Sequence, residues 1–140
     1  MQCYEKVVPV VFKHKNHGID ILAFHHPLAG TQLVKGTIEQ GEQYEQAAIR
    51  ELFEESGLSA QPNPKFLGNL ILKFNQQNWY FYVCEVKGEL AETWQHHCQD
   101  GGGLDFKFFW YPLDQQPDDS WHEIFREALG FLNSLIVGRK

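Results

Sequence analysis

The feature that most constrains this chain is an acidic helix bounded by glycines. Gln43 to Ser56 places Ala48, Ile49, Leu52 and Phe53 on an apolar stripe, and Gly57 follows as a residue suited to a left-handed helix stop. Glu51, Glu54 and Glu55 stand at i, i+3 and i+4, so the three carboxylates share roughly a 100° arc of the helix surface. Like charges at that spacing repel by about 0.2–0.5 kcal/mol per pair. Glu54 and Glu55 also occupy the last turn, where the helix dipole disfavours an anion by about 0.3–1 kcal/mol. One account of such a helix is a solvated acidic face, partly relieved by Arg50. The other is a hard divalent cation with oxygen ligands, which reverses both penalties. Mg²⁺ held by a few carboxylates beside substrate phosphates is the usual use of such a patch.

The surroundings favour the cation. Gly36 and Gly41 make the preceding loop tight and let backbone approach the acidic face. The string G-x5-E-x7-R-E-U-x-E-E-x-G-U, with U a bulky apolar residue, is filled by Gly36, Glu42, Arg50, Glu51, Leu52, Glu54, Glu55, Gly57 and Leu58. With seven fixed residues at ordinary frequencies, a chance match is on the order of 10⁻⁷ for a chain of this length.

That string is the signature of the Nudix hydrolases, and the chain resembles this family. The resemblance implies an α/β fold, an α/β/α sandwich with a mixed β-sheet between helices. It implies Mg²⁺- or Mn²⁺-dependent hydrolysis of a nucleoside diphosphate linked to another group, by attack of metal-activated water on a phosphorus of the diphosphate. Carried onto this sequence, the metal ligands are Glu54 and Glu55, usually with the Gly36 carbonyl. Glu51 is a further ligand or the group that orients and deprotonates water. Arg50 is structural, pairing with Glu42 to hold the loop against the helix. Lys35 is either a contact to a substrate phosphate or an exposed loop lysine. Family members often recruit another acidic residue from a late loop; Asp105, Asp100 and Glu92 are the candidates here, with Asp105 preferred because it precedes the last strand. The position before Lys35-Gly36, commonly proline in the family, is Val34, and Thr37 replaces a frequent second glycine. Neither departure removes a ligand.

The flanking order resembles the family as well. Val7–Phe12 and Ile19–Phe24 read as strands of a hairpin, with Pro9 at an edge or bulge. A long loop over 25–42 leads to the acidic helix. Phe66–Phe74 and Trp79–Val86 read as a second hairpin, then a polar loop over 87–103 and a strand Phe106–Tyr111. A final helix over about 119–136 carries Trp121, Ile124, Phe125, Ala128, Leu132 and Leu135 on one face. No repeat or linker divides the chain, so residues 1–140 are expected to form one domain.

Composition narrows the partners. At 140 residues the chain can bury about two-thirds of its unfolded surface without a disulfide or metal staple. A net charge of −6 disfavours nucleic-acid polymers, whose affinity comes mostly from cationic phosphate contacts, but not a small nucleotide reached through a metal ion. Apolar runs are too short to span a membrane, the N-terminus lacks a signal-peptide layout, and Cys3, Cys84 and Cys98 form no CxxC pair. A cytoplasmic location is the expectation. The resemblance leaves a homodimer open, since dimers are common in the family.

Other signals are weaker. His96-His97-Cys98, with His25-His26, lacks the H-x3-H or C-x2-C spacing of a zinc site. Trp94, His96 and His97 are expected in the long loop, either stacking on a base or simply packed. The short R-E-x-x-E string of an iron helix is far less specific than the full signature. Two alternatives stay open: a nucleotide sensor that binds without cleaving, and a pyrophosphohydrolase of dinucleoside polyphosphates or RNA 5′ ends.

Overall fold

Strands whose apolar residues alternate between two faces can bury both, provided a helix covers each side. This chain does so. In the computed structural model, which describes residues 4–99 and 103–136, the elements are β1 (Glu5–Val10), β2 (Phe12–Lys15), β3 (Gly18–His26), β4 (Gly30–Gln32), β5 (Gly36–Thr37), α1 (Tyr44–Ser56), β6 (Lys65–Ile71), β7 (Asn78–Val83), β8 (Trp94–Cys98), β9 (Leu104–Pro112) and α2 (Glu123–Ile136). Cys3, Asp100 and the glycines at 101 and 102 lie outside the described residues.

One sheet has the order β5-β1-β7-β6, with β1 parallel to β7 and the other pairs antiparallel. The other has the order β2-β3-β9-β8, with β4 beside β3, and is antiparallel throughout. Val8, Val10, Ile21, Ala23, Trp79 and Phe81 pack with Phe125, Leu129 and Leu132 of α2. Their neighbours Val7, Leu22, Phe24, Phe108 and Trp110 pack on the opposite face with Ala47, Ala48 and Leu52 of α1. The result is the expected α/β/α arrangement, with the strands divided between two adjoining sheets. Among the described residues, no helix is long and apolar enough to cross a membrane.

The division falls inside the first apolar run. Val10 accepts from Cys84 N–H at 2.8 Å in the mixed sheet, and Val11 accepts from Leu22 N–H at 2.9 Å in the other. Val7–Phe12 is therefore not one arm of a hairpin: β1 belongs to the mixed sheet, and β2 makes the hairpin with β3. Pro9 sits past the end of the two-residue β5, so its missing N–H costs no ladder bond.

Five further expectations change. Two short strands, β4 and β5, lie within the loop over 25–42, and β8 lies within the loop over 87–103. The second hairpin is shorter, ending at Ile71 and Val83. Helix α2 begins at Glu123, because Asp118 accepts from Ser120 N–H in a preceding turn and His122 Nδ1 accepts from Ile124 N–H. On α1, Phe53 is 54% exposed and Ala47 and Glu51 are buried instead. With Ala47, Ala48, Glu51 and Leu52 on the buried side, Phe53 lies one helical step of about 100° beyond Leu52 and faces out.

Candidate active site

Helix α1 presents its carboxylates where the sequence places its stops. Gly57 has φ 82° and donates to the Phe53 carbonyl at 2.9 Å, ending the helix in the left-handed region. At the other end, Gln43 N–H donates to Gln46 Oε1 at 3.4 Å. The loop before α1 is held by Arg50. Its Nε and Nη2 donate to the two oxygens of Glu42 at 2.8 and 2.9 Å, and Nη2 also donates to the Thr37 carbonyl at 2.9 Å. Nη1 faces the catalytic candidates, lying 3.0 Å from Glu51 Oε2 and 3.2 Å from Glu54 Oε1. Arg50 thus pairs with Glu42 in the bidentate geometry that planar guanidinium favours. These hydrogen bonds hold the Glu42 carboxyl below the usual range.

Glu51 is the buried carboxylate of the group. Its side chain lies against Gly36, where any added Cβ would overlap the carboxyl atoms. Burial pushes the Glu51 carboxyl above its ordinary value, overcoming the opposing pull of Arg50.

An open groove of about 420 Å³ runs past these groups, lined by Gly36, Arg50, Glu51, Glu54 and Glu55 on one side and by Lys6, Lys35, Thr37 and Glu39. Gly36, Lys35, Arg50 and the three glutamates are therefore brought together. Burial and the neighbouring Lys6 charge lower the proton affinity of Lys35, against a weaker opposing pull from Glu55 and Glu51. The donor set is all oxygen and suits a hard divalent cation. As the side chains stand, no group of three His, Cys, Asp or Glu among the described residues closes on one point, since Glu51 and Glu54 face Arg50.

Of the late acidic candidates, Asp105 and Glu92 do not join this groove, and Asp100 lies outside the described residues. Asp105 sits opposite His97 across β8 and β9, and His97 Nδ1 lies 2.7 Å from its Oδ1. Its neighbour Phe106 is buried on the α1 face, so strand alternation turns Asp105 to the other face. Glu92 is engaged by Lys13 at 2.8 Å and Lys15 at 2.9 Å, beside β2.

Sequence reasoning missed how β8 docks on α1. Trp94 Nε1 donates to the Ser56 carbonyl at 2.9 Å, and His96 Nε2 donates to the Glu54 carbonyl at 3.1 Å. The imidazole of His96 rests over Gly57, where a Cβ would come within 2.9 Å of Nδ1. Trp94 also stacks on Phe108, with centroids 5.2 Å apart. Both side chains are thus packed against protein. Beside them a cavity of about 390 Å³ is bordered by Phe53, Glu54, His96, His97, Cys98 and Gln99. The alternation of Trp94, His96 and Cys98 with polar Gln95 and His97 was the available signal for this strand.

Comparison with known proteins agrees with this architecture. The pattern of the NUDIX domain matches residues 5–129. Over 126 residues the chain is 31% identical to the NAD-capped RNA hydrolase NudC of Haemophilus influenzae, covering 83% of this chain and 45% of NudC. The chain therefore spans about half the length of the curated relatives it matches. A UDP-X diphosphatase structure superposes with a TM-score of 0.70 at 15% identity, covering 100% of this chain and 66% of that one. An ADP compounds hydrolase gives 0.69 at 21% identity, with 96% and 74% covered. The NUDIX domain of Shewanella oneidensis NrtR, complexed with ADP ribose, gives 0.58 at 19% identity, with 81% and 75% covered. At these identities the structures establish the shared fold. With the match running from β1 into α2 and the full signature folded between Gly36 and Leu58, the chain belongs to the NUDIX domain family.

Proposed function

We propose that this protein is a metal-dependent pyrophosphohydrolase that cleaves the diphosphate bond of a small nucleotide, a nucleoside diphosphate linked to another moiety. The observation that carries this reading is the groove lined together by Glu51, Glu54 and Glu55 of α1, the Gly36 loop and Lys35. Similar proteins include a NAD-capped RNA hydrolase, a UDP-X diphosphatase and an ADP compounds hydrolase, which supports a nucleotide substrate. The net charge of −6 favours a small nucleotide over an RNA chain for this protein.

Glu54 and Glu55, with the Gly36 carbonyl and Glu51, are the residues that would hold Mg²⁺ or Mn²⁺. Bound there, the ion supplies charge neutralisation for the diphosphate and makes water more acidic. The protein's own groups divide the remaining tasks. Glu51 is buried and held in place by Gly36 and Arg50, so it can orient a water and accept its proton. The water oxygen bonds to one phosphorus, the bridging P–O bond breaks, and the electron pair leaves with the departing phosphate. Lys35 contacts the phosphate oxygens, and Arg50 fixes the carboxylates rather than the substrate. Phosphoryl transfer asks mainly for this positioning and neutralisation.

Turnover of a nucleotide panel tests the reading: nucleotide sugars, ADP-ribose, NADH, dinucleoside polyphosphates, canonical and oxidised dNTPs and a 5′-triphosphate RNA, each with Mg²⁺, Mn²⁺ or EDTA. Cleavage of one class, stopped by EDTA and incorporating ¹⁸O from labelled water into one phosphate product, is the expected result. No turnover of any member, with nucleotide binding retained, would replace the hydrolase by a sensor.

A further inference from the structure

The groove carries three cations, and they are not equivalent. Arg50 has its Nε, Nη1 and Nη2 committed to Glu42, Glu51, Glu54 and the Thr37 carbonyl, leaving little for a ligand. Lys35 is half-buried, and among the described residues its ammonium has no hydrogen bond and no carboxylate within ion-pair distance. It lies over the Trp79 ring, 5.8 Å from the centroid. Lys6 lines the same groove. β1 pairs Lys6 with Thr37 of β5, and its Nζ donates to Thr37 Oγ1 at 2.7 Å. Lys13 and Lys15, by contrast, are engaged by Glu92.

Two ammonium groups held near each other, one of them half-buried, repel, and each loses hydration. An anion between them relieves both costs. Glu51 and Glu54 lie 3.0 and 3.2 Å from Arg50 Nη1 and make no ion pair with either lysine.

We propose that Lys6 acts with Lys35 as a two-ammonium clamp on the diphosphate of the substrate, with the Thr37 hydroxyl as the positioning group for Lys6. The proposal rests on the hydrolase reading and adds to it a binding residue from β1, outside the signature. Two adjacent cations match the paired non-bridging oxygens of a diphosphate better than those of a single phosphate. Lys6 therefore contributes to substrate affinity, and discriminates diphosphates from monophosphates.

The test uses the full chain and inorganic pyrophosphate as probe. Titrated in EDTA and again with Mg²⁺, pyrophosphate is expected to shift the NMR signals of the Lys6 and Lys35 ε-methylenes together, with inorganic phosphate shifting them less. Lys6→Ala should weaken pyrophosphate binding and raise KM for the cleaved nucleotide about tenfold, as expected for loss of one charge-assisted contact, with a much smaller change in kcat. Lys6→Arg should restore most of the affinity, and Thr37→Ser should bind more tightly than Thr37→Val. Shift of Lys35 alone, or of neither lysine up to millimolar pyrophosphate, overturns the clamp; so does a Lys6→Ala variant with unchanged KM. Absence of nucleotide turnover sinks the hydrolase reading instead, and the lysine signals then decide the clamp by themselves.

Discussion

The carboxylate of Glu51 occupies the space beside Gly36 where any side chain on that loop residue would go. This contact joins the loop to the helix and explains the glycine by close approach rather than by φ. Gly36→Ala forces the Glu51 side chain or the loop to move. Overpacking of this kind costs about 1–3 kcal/mol. Turnover should fall at least about tenfold, since small displacements of a catalytic group are felt strongly. A Gly36→Ala protein with wild-type kcat and melting temperature would show that Glu51 does not depend on this contact.

Arg50 connects the loop to three acidic side chains of the site. Arg50→Ala leaves Glu42 and Glu51, with side chains 14% and 10% exposed, without their counter-charge. The cost lies between the limits for surface and buried pairs, on the order of 2–3 kcal/mol. Stability and turnover should therefore fall together, with Arg50→Lys recovering only part because it cannot make the bidentate contact. Calorimetry on the three proteins checks this. An unchanged melting temperature for Arg50→Ala contradicts a structural role.

The docking of β8 gives a separable prediction about the end of α1. His96→Ala removes the hydrogen bond to the Glu54 carbonyl, and Trp94→Phe removes the one to the Ser56 carbonyl while keeping the stack on Phe108. Each should cost about 1 kcal/mol, or roughly 2–5 °C in melting temperature for a chain of this size. Amide hydrogen exchange at residues 54–57 should quicken more than exchange in β3. Uniform acceleration across the chain would mean that β8 does not act on the helix end in particular.

Acid should loosen the loop around Glu92. Lys13 and Lys15 hold its carboxyl at about 2, well below the ordinary 4.5. A depressed native value adds stability that is complete above about pH 4.5 and is lost as pH falls toward 2. Glu42, held down by Arg50, acts in the same direction. Melting temperatures measured from pH 6 down to about pH 2.5 should fall less steeply for Glu92→Gln than for wild type, because the variant has lost one of the titrating groups. Parallel curves would show that the Lys13–Glu92–Lys15 contacts carry no stability. Added salt should narrow the difference, since Glu92 is exposed.

The helix-and-loop signature was legible because each of its residues has a local reason: Gly57 for the stop, Arg50 for Glu42, Gly36 for Glu51. The apolar faces of α2, β3, β7 and β9 were legible from their periods. The division of Val7–Phe12 between two sheets was not, because a continuous apolar run says nothing about which neighbour takes each carbonyl. Strand β8 was hidden by its histidines, which are poor markers of burial. The placement of Asp105 could have been inferred: once Phe106 points inward, alternation sends Asp105 to the opposite face. Lys6 had no signal at all, since its place in the groove depends on β1 pairing with β5.

The most direct test of the account compares wild type with Glu54→Gln on the nucleotide that the wild type cleaves, across a range of Mn²⁺ concentrations. Glutamine keeps the size of the side chain and removes its charge, so the fold and the melting temperature should stay close to wild type. Mn²⁺ binding followed by electron paramagnetic resonance should weaken by at least about tenfold, and turnover should fall by two orders of magnitude or more. A Glu54→Gln protein that binds Mn²⁺ and turns over nucleotide like the wild type would remove the α1 carboxylates from the centre of the mechanism.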